Sequence, residues 1–269
     1  MKRGMFAGVL MMSFLHGVAA PMIIAHRGES CDAPENTMAA FRLAVERHVD
    51  GIECDVYLSR DEQIFCFHDG TLKRFVPDAT QAVASLTYAQ LKQYDVGAWK
   101  NATFAGERIP LLSDLLTLAA EGRTIYVEVK CGPEIVPSLK TLVASLTNVT
   151  PQRVVFITFK APVVTALKKA MPAYRAYYLA SVKKNKEGVL TPSAEMLIAQ
   201  AKNCLADGVD ISGEWLTAEY VRTVKAAGLS VHVWTIDQPD RAQALAEMGV
   251  DSITTNRGGE MMRLLGRKE

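Results

Sequence analysis

The chain has 269 residues, of which 49% are hydrophobic and 22% charged, and its formal charge is +1 at pH 7. This length and apolar content suit one large domain with a substantial core. A balance so near neutrality excludes the broad basic field that gathers nucleic acid, so any bound anion must be held by a local cluster of charges.

In chain order, the first feature is a secretion signal expected over residues 1–20. Lys2 and Arg3 form a basic start, residues 4–15 are apolar, and small residues lead to Ala19 and Ala20. The run is too short, and too interrupted by His16, to span a bilayer. No cysteine follows it directly, so no lipid anchor is expected. An exported product, periplasmic or secreted, is the expectation, with an N-terminal core helix as the alternative. The 5 cysteines are an odd number without paired spacing and do not indicate a disulfide scaffold.

Short β-branched runs then alternate with helical patterns. Strands are expected over 22–27, 51–58, 124–130, 153–159, 174–180, 208–212, 229–236 and 250–255. Between them, Asn36 or Thr37 caps one helix, and another runs from a Thr217 cap to Gly228. Eight strands with intervening helices predict a single (β/α)8 TIM barrel over 21–269; a doubly wound open sheet is the alternative. One segment breaks the alternation. The run 64–69 follows the second strand too closely for a crossover helix, which predicts a β-hairpin. Residues 70–109 then read as a small insertion, and 111–122 as the delayed second helix. The lysine-rich stretch 183–186 reads as a solvated loop, with an anion-attracting role as the alternative.

Alternation along a strand puts Glu53 and Asp55 on one face, opposite Ile52, Cys54 and Val56. It likewise puts Tyr126, Glu128 and Lys130 opposite Ile125, Val127 and Val129. The apolar face must pack on the helices, so the charged face points into the barrel. Buried carboxylates need compensation, either by an ion-pair network or by a metal. Three carboxylates against Arg27 and Lys130 leave surplus negative charge, which favours a metal, and all-oxygen ligation favours Mg²⁺ or Ca²⁺. His26, Arg27, Glu53, Asp55, Glu128 and Lys130 all fall at C-terminal ends of their strands, where barrel active sites lie. The hairpin return brings His68 and Asp69 to the same rim. Such a set suits metal-assisted phosphoryl chemistry, with histidines moving protons and cations neutralising a phosphate.

These residues, in this order, resemble the glycerophosphodiester phosphodiesterase family. The matching segments are HRG (26–28), PENT (34–37), ECD (53–55), HDGTLKR (68–74), GERIPLL (106–112), EVK (128–130) and VWTID (233–237). Each is weak alone, but seven in order are specific, and they span nearly the whole chain after the signal. The resemblance implies a TIM barrel with a small insertion and one divalent ion, Mg²⁺ or Ca²⁺, on Glu53, Asp55 and Glu128. It implies His26 and His68 as general acid and base, Arg27 and Lys130 on the phosphate, and Trp234 beside the glycerol. The implied reaction hydrolyses a glycerophosphodiester to glycerol 3-phosphate and an alcohol. Two positions depart from the pattern: Asn256 stands where an aspartate is common, and Lys73 where an acid is frequent.

Other residues have two readings. Glu35 either starts a helix or supports Arg27, and Asp69 either orients His68 or caps its loop. Trp234 is core or substrate wall. His48 and His232 read as surface or core, Tyr126 as barrel filling, and Cys66 as sharing the side of His68. An apolar rim of Phe75, Trp99 and Phe104 keeps open the same chemistry on a lysophospholipid or phosphoinositide. A barrel that binds phosphodiesters without turnover is the reading from another class; the presence of both histidines and all three carboxylates speaks against it.

Overall fold

A computed structural model describes residues 20–147 and 149–266. All but the last residue of the expected secretion signal lies outside the described residues. In chain order the strands are β1 (Met22–Ala25), β2 (Gly51–Leu58), β3 (Ile64–Cys66), β4 (Thr124–Val129), β5 (Val154–Thr158), β6 (Arg175–Ala180), β7 (Lys183–Lys184), β8 (Leu190–Thr191), β9 (Gly208–Ser212), β10 (Ser230–Trp234) and β11 (Ser252–Thr255). β1, β2, β4, β5, β6, β9, β10 and β11 are parallel neighbours in that order, and β11 pairs back onto β1 through Met22↔Ser252 to Ala25↔Thr255. That closure makes the molecule a (β/α)8 barrel and excludes the open-sheet alternative.

Helices cover the outside: α1 (Met38–Glu46), α2 (Tyr88–Leu91), α3 (Leu112–Leu116), α4 (Val136–Ser145), α5 (Ala161–Ala170), α6 (Ala194–Asn203), α7 (Ala218–Ala226), α8 (Pro239–Glu247) and α9 (Gly258–Leu264). Their starts follow local chemistry. Thr37 caps α1 by accepting from the Ala40 N–H, and Thr217 caps α7 by accepting from the Tyr220 N–H. Helix α3 spans only the first part of the expected second helix and passes into a 3₁₀ segment over Thr117–Glu121, which Gly122 ends in the left-handed region at φ 85°.

The alternation expected along the strands holds. Ile52, Cys54, Val56, Ile125, Val127 and Val129 join the large apolar layer between barrel and helices. Ile24, Tyr126, Val155, Ile157, Tyr177 and Leu179 fill the barrel itself. Toward the strand starts the interior turns polar. His232 stacks on Tyr177 with ring centres 4.1 Å apart and bonds the hydroxyls of Ser252 and Ser230. His232 is thus a satisfied core residue, well below the catalytic rim. Cys66 lies in the outer apolar layer against Cys54.

β3 runs antiparallel to β2 in the register Val56↔Cys66, Tyr57↔Phe65 and Leu58↔Ile64, as the short link requires. It ends at Cys66, earlier than expected, and the chain then turns along the rim with the Phe67 N–H on the Asp55 carbonyl. Residues 70–109 carry a small apolar cluster of their own, in which Leu72, Val83, Leu91 and Ile109 pack on Phe65 and Phe67. The lysine-rich stretch forms the hairpin β7–β8, with Lys184 over the Trp215 ring at 5.6 Å.

Candidate active site

The first strand stops at Ala25 because the next turn is left-handed: Arg27 has φ 55° and Gly28 φ 78°. A Cβ on Gly28 would sit 2.6 Å from the Ala40 backbone carbon, so only glycine lets this turn pack on α1. The turn aims the Arg27 N–H at Glu53 Oε2, at 2.8 Å. It leaves the Arg27 guanidinium between two acids, with Nη1 donating to Glu35 at 2.9 Å and Nε 3.1 Å from Asp55.

Glu53, Asp55 and Glu128 converge inside the rim, each offering a carboxylate oxygen within 4.8 Å of the others. Glu53 and Asp55 are buried, and Glu53 Oε1 has no hydrogen-bond partner among the described residues. Lys130 Nζ donates to Glu128 at 2.7 Å and lies 3.2 Å from Asp55 Oδ1. Asn36 holds Asp55 in place at both ends, donating from Nδ2 to Oδ2 at 2.9 Å and accepting the Asp55 N–H at 3.1 Å. It does so from the left-handed region, at φ 56°, which asparagine tolerates better than most residues.

The electrostatics follow from burial. Burial, then repulsion from Asp55 and Glu128, holds the Glu53 carboxyl well above the ordinary range. Burial, then Asp55, pushes Glu128 up to about 7. Asp55 goes the other way: burial alone would raise it, but Arg27, Lys130, His68 and Asn36 together bring it below the usual value. A group of buried carboxylates that resists full ionisation, with an oxygen of each within 4.8 Å of the others, fits a hard divalent cation with oxygen ligands. The residues present therefore suit Mg²⁺ or Ca²⁺.

Two histidines flank this cluster, each fixed through Nδ1. The Asn256 Nδ2 donates to Asp237 Oδ2 at 2.7 Å, which turns Oδ1 toward Ser30 Oγ and His26 Nδ1, both at 2.8 Å. His26 therefore carries its proton on Nδ1 and presents Nε2, which lies 4.0 Å from Glu53 Oε2. Burial, then Arg27, lowers its pKa. His68 Nδ1 meets Asp69 Oδ1 at 2.7 Å, so Asp69 orients the ring. Arg74 ties the two sides together. Its Nε donates to Asp69 Oδ2 at 2.8 Å, while Nη1 and Nη2 hold both oxygens of Glu35 at 2.9 and 2.7 Å. Glu35 thus bridges Arg27 and Arg74 and supports the first, and despite burial the two guanidiniums bring its carboxyl down to about 2.

His26, Arg27, Glu53, His68, Glu128 and Lys130 open into one cavity of about 230 Å³, which Ile157, Phe159, Leu179 and Trp234 complete on its apolar side. Trp234 stands at the wall, its ring edge-on to Phe159 at 5.6 Å and its Nε1 donating to the Asp210 carbonyl at 3.0 Å. The structure thus brings together every candidate residue: His26, His68, Glu53, Asp55, Glu128, Arg27, Lys130, Trp234, Glu35 and Asp69. Sequence reasoning missed Asn36, Arg74, Asn256 and Asp210 as members of this site. Asp210 was within reach, since it alternates with Val209 and Ile211 along its strand. It is buried, its Oδ1 is bare, and burial, then Glu128, pushes it up to about 8. A second lobe of about 350 Å³ opens on the far side of His26 and Arg27, toward Trp99, Lys100 and Arg257.

Comparison with known proteins points the same way. The chain is 29% identical over 238 residues to the glycerophosphodiester phosphodiesterase of Caldanaerobacter subterraneus, an alignment covering 87% of this chain and 93% of that one. Its fold matches the Oleispira antarctica phosphodiesterase solved in complex with the product sn-glycerol-3-phosphate, with a TM-score of 0.81 and 26% identity over 91% of this chain and 97% of that one. A glycerophosphodiester phosphodiesterase from Thermotoga maritima superposes with a TM-score of 0.71 at 21% identity, covering 91% of this chain and 99% of that one, which bears on the fold alone. Residues 26–260 match the glycerophosphoryl diester phosphodiesterase family, and the chain belongs to that family of enzymes.

Proposed function

We propose that this protein hydrolyses glycerophosphodiesters, the deacylated headgroups of phospholipids such as glycerophosphocholine, to glycerol 3-phosphate and an alcohol. The observation that carries the reading is the convergence of two separately oriented histidines and two cations on one cavity, against a cluster of three carboxylates. A divalent ion held by Glu53, Asp55 and Glu128 would supply charge for the phosphate in its pentacoordinate state. Arg27 and Lys130 bind the phosphoryl oxygens and offset their developing charge. Trp234 and Phe159 flank the glycerol. We assign the two proton transfers, from the nucleophile and to the leaving alkoxide, to His26 and His68, which Asn256 and Asp69 orient.

A lysophospholipid fits less well. Phe75 is tucked against Phe67 and Trp99, and the Arg74 guanidinium lies over both Phe75 and Trp99, at 4.8 and 5.6 Å. The rim thus presents charge where an acyl chain would need apolar surface. The lysine-and-arginine start and apolar run of residues 1–20 support export to the periplasm or beyond. The roles are tested by comparing His26→Ala and His68→Ala on glycerophosphocholine and on a glycerophosphodiester of p-nitrophenol, whose alkoxide needs no proton. The better leaving group should rescue one of the two variants, which identifies the histidine that protonates the alkoxide, and leave the other impaired. Near-normal turnover of glycerophosphocholine by either variant would overturn the assignment.

A further inference from the structure

We propose that the second lobe is the subsite for the leaving alcohol and that it selects an anionic alcohol over a cationic one. The inference rests on the phosphodiesterase reading and adds the substrate class. His26 and Arg27 line both lobes, so a phosphorus centre beside them has one substituent in each. The first lobe is apolar on one side and narrow, below the ~300 Å³ of sites for larger ligands, and suits the glycerol. The alcohol then enters the second lobe.

Four charged side chains besides Arg27 line that lobe, and the two acids are already committed. Glu35 has both oxygens held by Arg74 and one also by Arg27. Asp237 accepts from Thr255 Oγ1, the Asn256 N–H and Asn256 Nδ2. The two cations have weaker claims on them. Lys100 Nζ donates to the Ser30 carbonyl at 2.8 Å, a neutral partner that leaves two of its N–H groups unused. Arg257 pairs only through Nη1, at 3.2 Å, with Glu260 on the exposed face of α9. The lobe therefore presents positive charge to whatever fills it.

Trp99, which is 46% exposed, raises the opposite reading, since an open indole face attracts a quaternary ammonium. The ring is already engaged by cations of the protein: Lys100 Nζ lies 5.8 Å and the Arg74 guanidinium 5.6 Å from it. A choline would have to displace them and sit among like charges, whereas a carboxylate or a second phosphate on the alcohol would meet Lys100 and Arg257.

The test compares kcat/KM for bis(glycerophospho)glycerol, whose leaving alcohol bears a phosphate, with that for glycerophosphocholine, at low ionic strength. The wild type should favour the anionic diester. Lys100→Glu combined with Arg257→Glu should lower that preference by roughly tenfold, and ~0.5 M salt should erode it in the wild type. A wild-type preference for the choline diester, or a ratio unchanged by the double variant, would overturn the subsite proposal while leaving the phosphodiesterase reading standing. Absence of turnover on both substrates would overturn the phosphodiesterase reading itself.

Discussion

Stripping divalent ions from this protein should leave its stability falling as the pH rises, and restoring them should flatten that slope. Glu53 and Asp210 share in the effect with Glu128. The Glu128 carboxyl ionises at 4.5 in an open chain and at about 7 in the fold, because of burial first and Asp55 second. A raised carboxyl pKa means the folded state holds the proton longer than the unfolded one. Its stabilising contribution is therefore complete below 4.5 and is lost as the pH climbs through about 7. At about 1.4 kcal/mol per pH unit the loss is on the order of 3 kcal/mol. A bound cation needs the ionised form, so its affinity should fall about tenfold per pH unit below that point. At pH 8 and ~100 times its dissociation constant the ion should add about 2.7 kcal/mol, or roughly 5–10 °C in Tm. The assay is thermal unfolding of EDTA-treated protein at pH 5 and pH 8, with and without Mg²⁺ or Ca²⁺, beside Glu128→Gln. The variant is the control because His26 and His232, whose imidazoles burial holds below their usual range, titrate with the opposite sign. The variant should lose Glu128's share of the apo pH slope and keep the share of Asp210, whose buried carboxyl is raised to about 8. Equal stabilisation by metal at both pH values, or an unchanged slope in Glu128→Gln, would refute the reasoning.

Further outcomes follow from the contacts around the cluster. Arg74→Ala frees Asp69 and Glu35 together and should lower kcat by roughly 10–100-fold through misplacement of His68 and Arg27. Metal-induced thermal stabilisation should be retained in that variant, and Arg74→Lys should rescue little, because an ammonium cannot make the forked contact. Asn256→Ala removes the acceptor that fixes the His26 tautomer; kcat for glycerophosphocholine should fall at least about tenfold while KM changes little. Gly28→Ala forces a Cβ against the Ala40 backbone from a left-handed residue and should cost more than about 2 kcal/mol, read as a lowered Tm.

The barrel was legible because its strands obey a period of two and its helices begin at caps. The same period points Glu53, Asp55 and Glu128 inward. The short link before β3 forced a hairpin and so delivered His68 to the rim. What stayed hidden depends on turns and on distant pairing. Asn256 meets His26 across 230 positions, and nothing local marks that contact. Asn36 reaches Asp55 only from a left-handed backbone, and the same kind of turn at Arg27 ends β1 before the histidine. Arg74 lay within a segment quoted for its resemblance, yet its grip on both Asp69 and Glu35 needs the fold of the insertion. The hairpin β7–β8 is too short for periodicity to show.

The most direct test is release of glycerol 3-phosphate from glycerophosphocholine by EDTA-stripped protein, with Mg²⁺ or Ca²⁺ added back, beside a Glu53→Gln variant. Product that appears only with metal, and that Glu53→Gln fails to make, is the predicted result. Equal release without metal, or no release with either ion across several headgroups, would contradict the account.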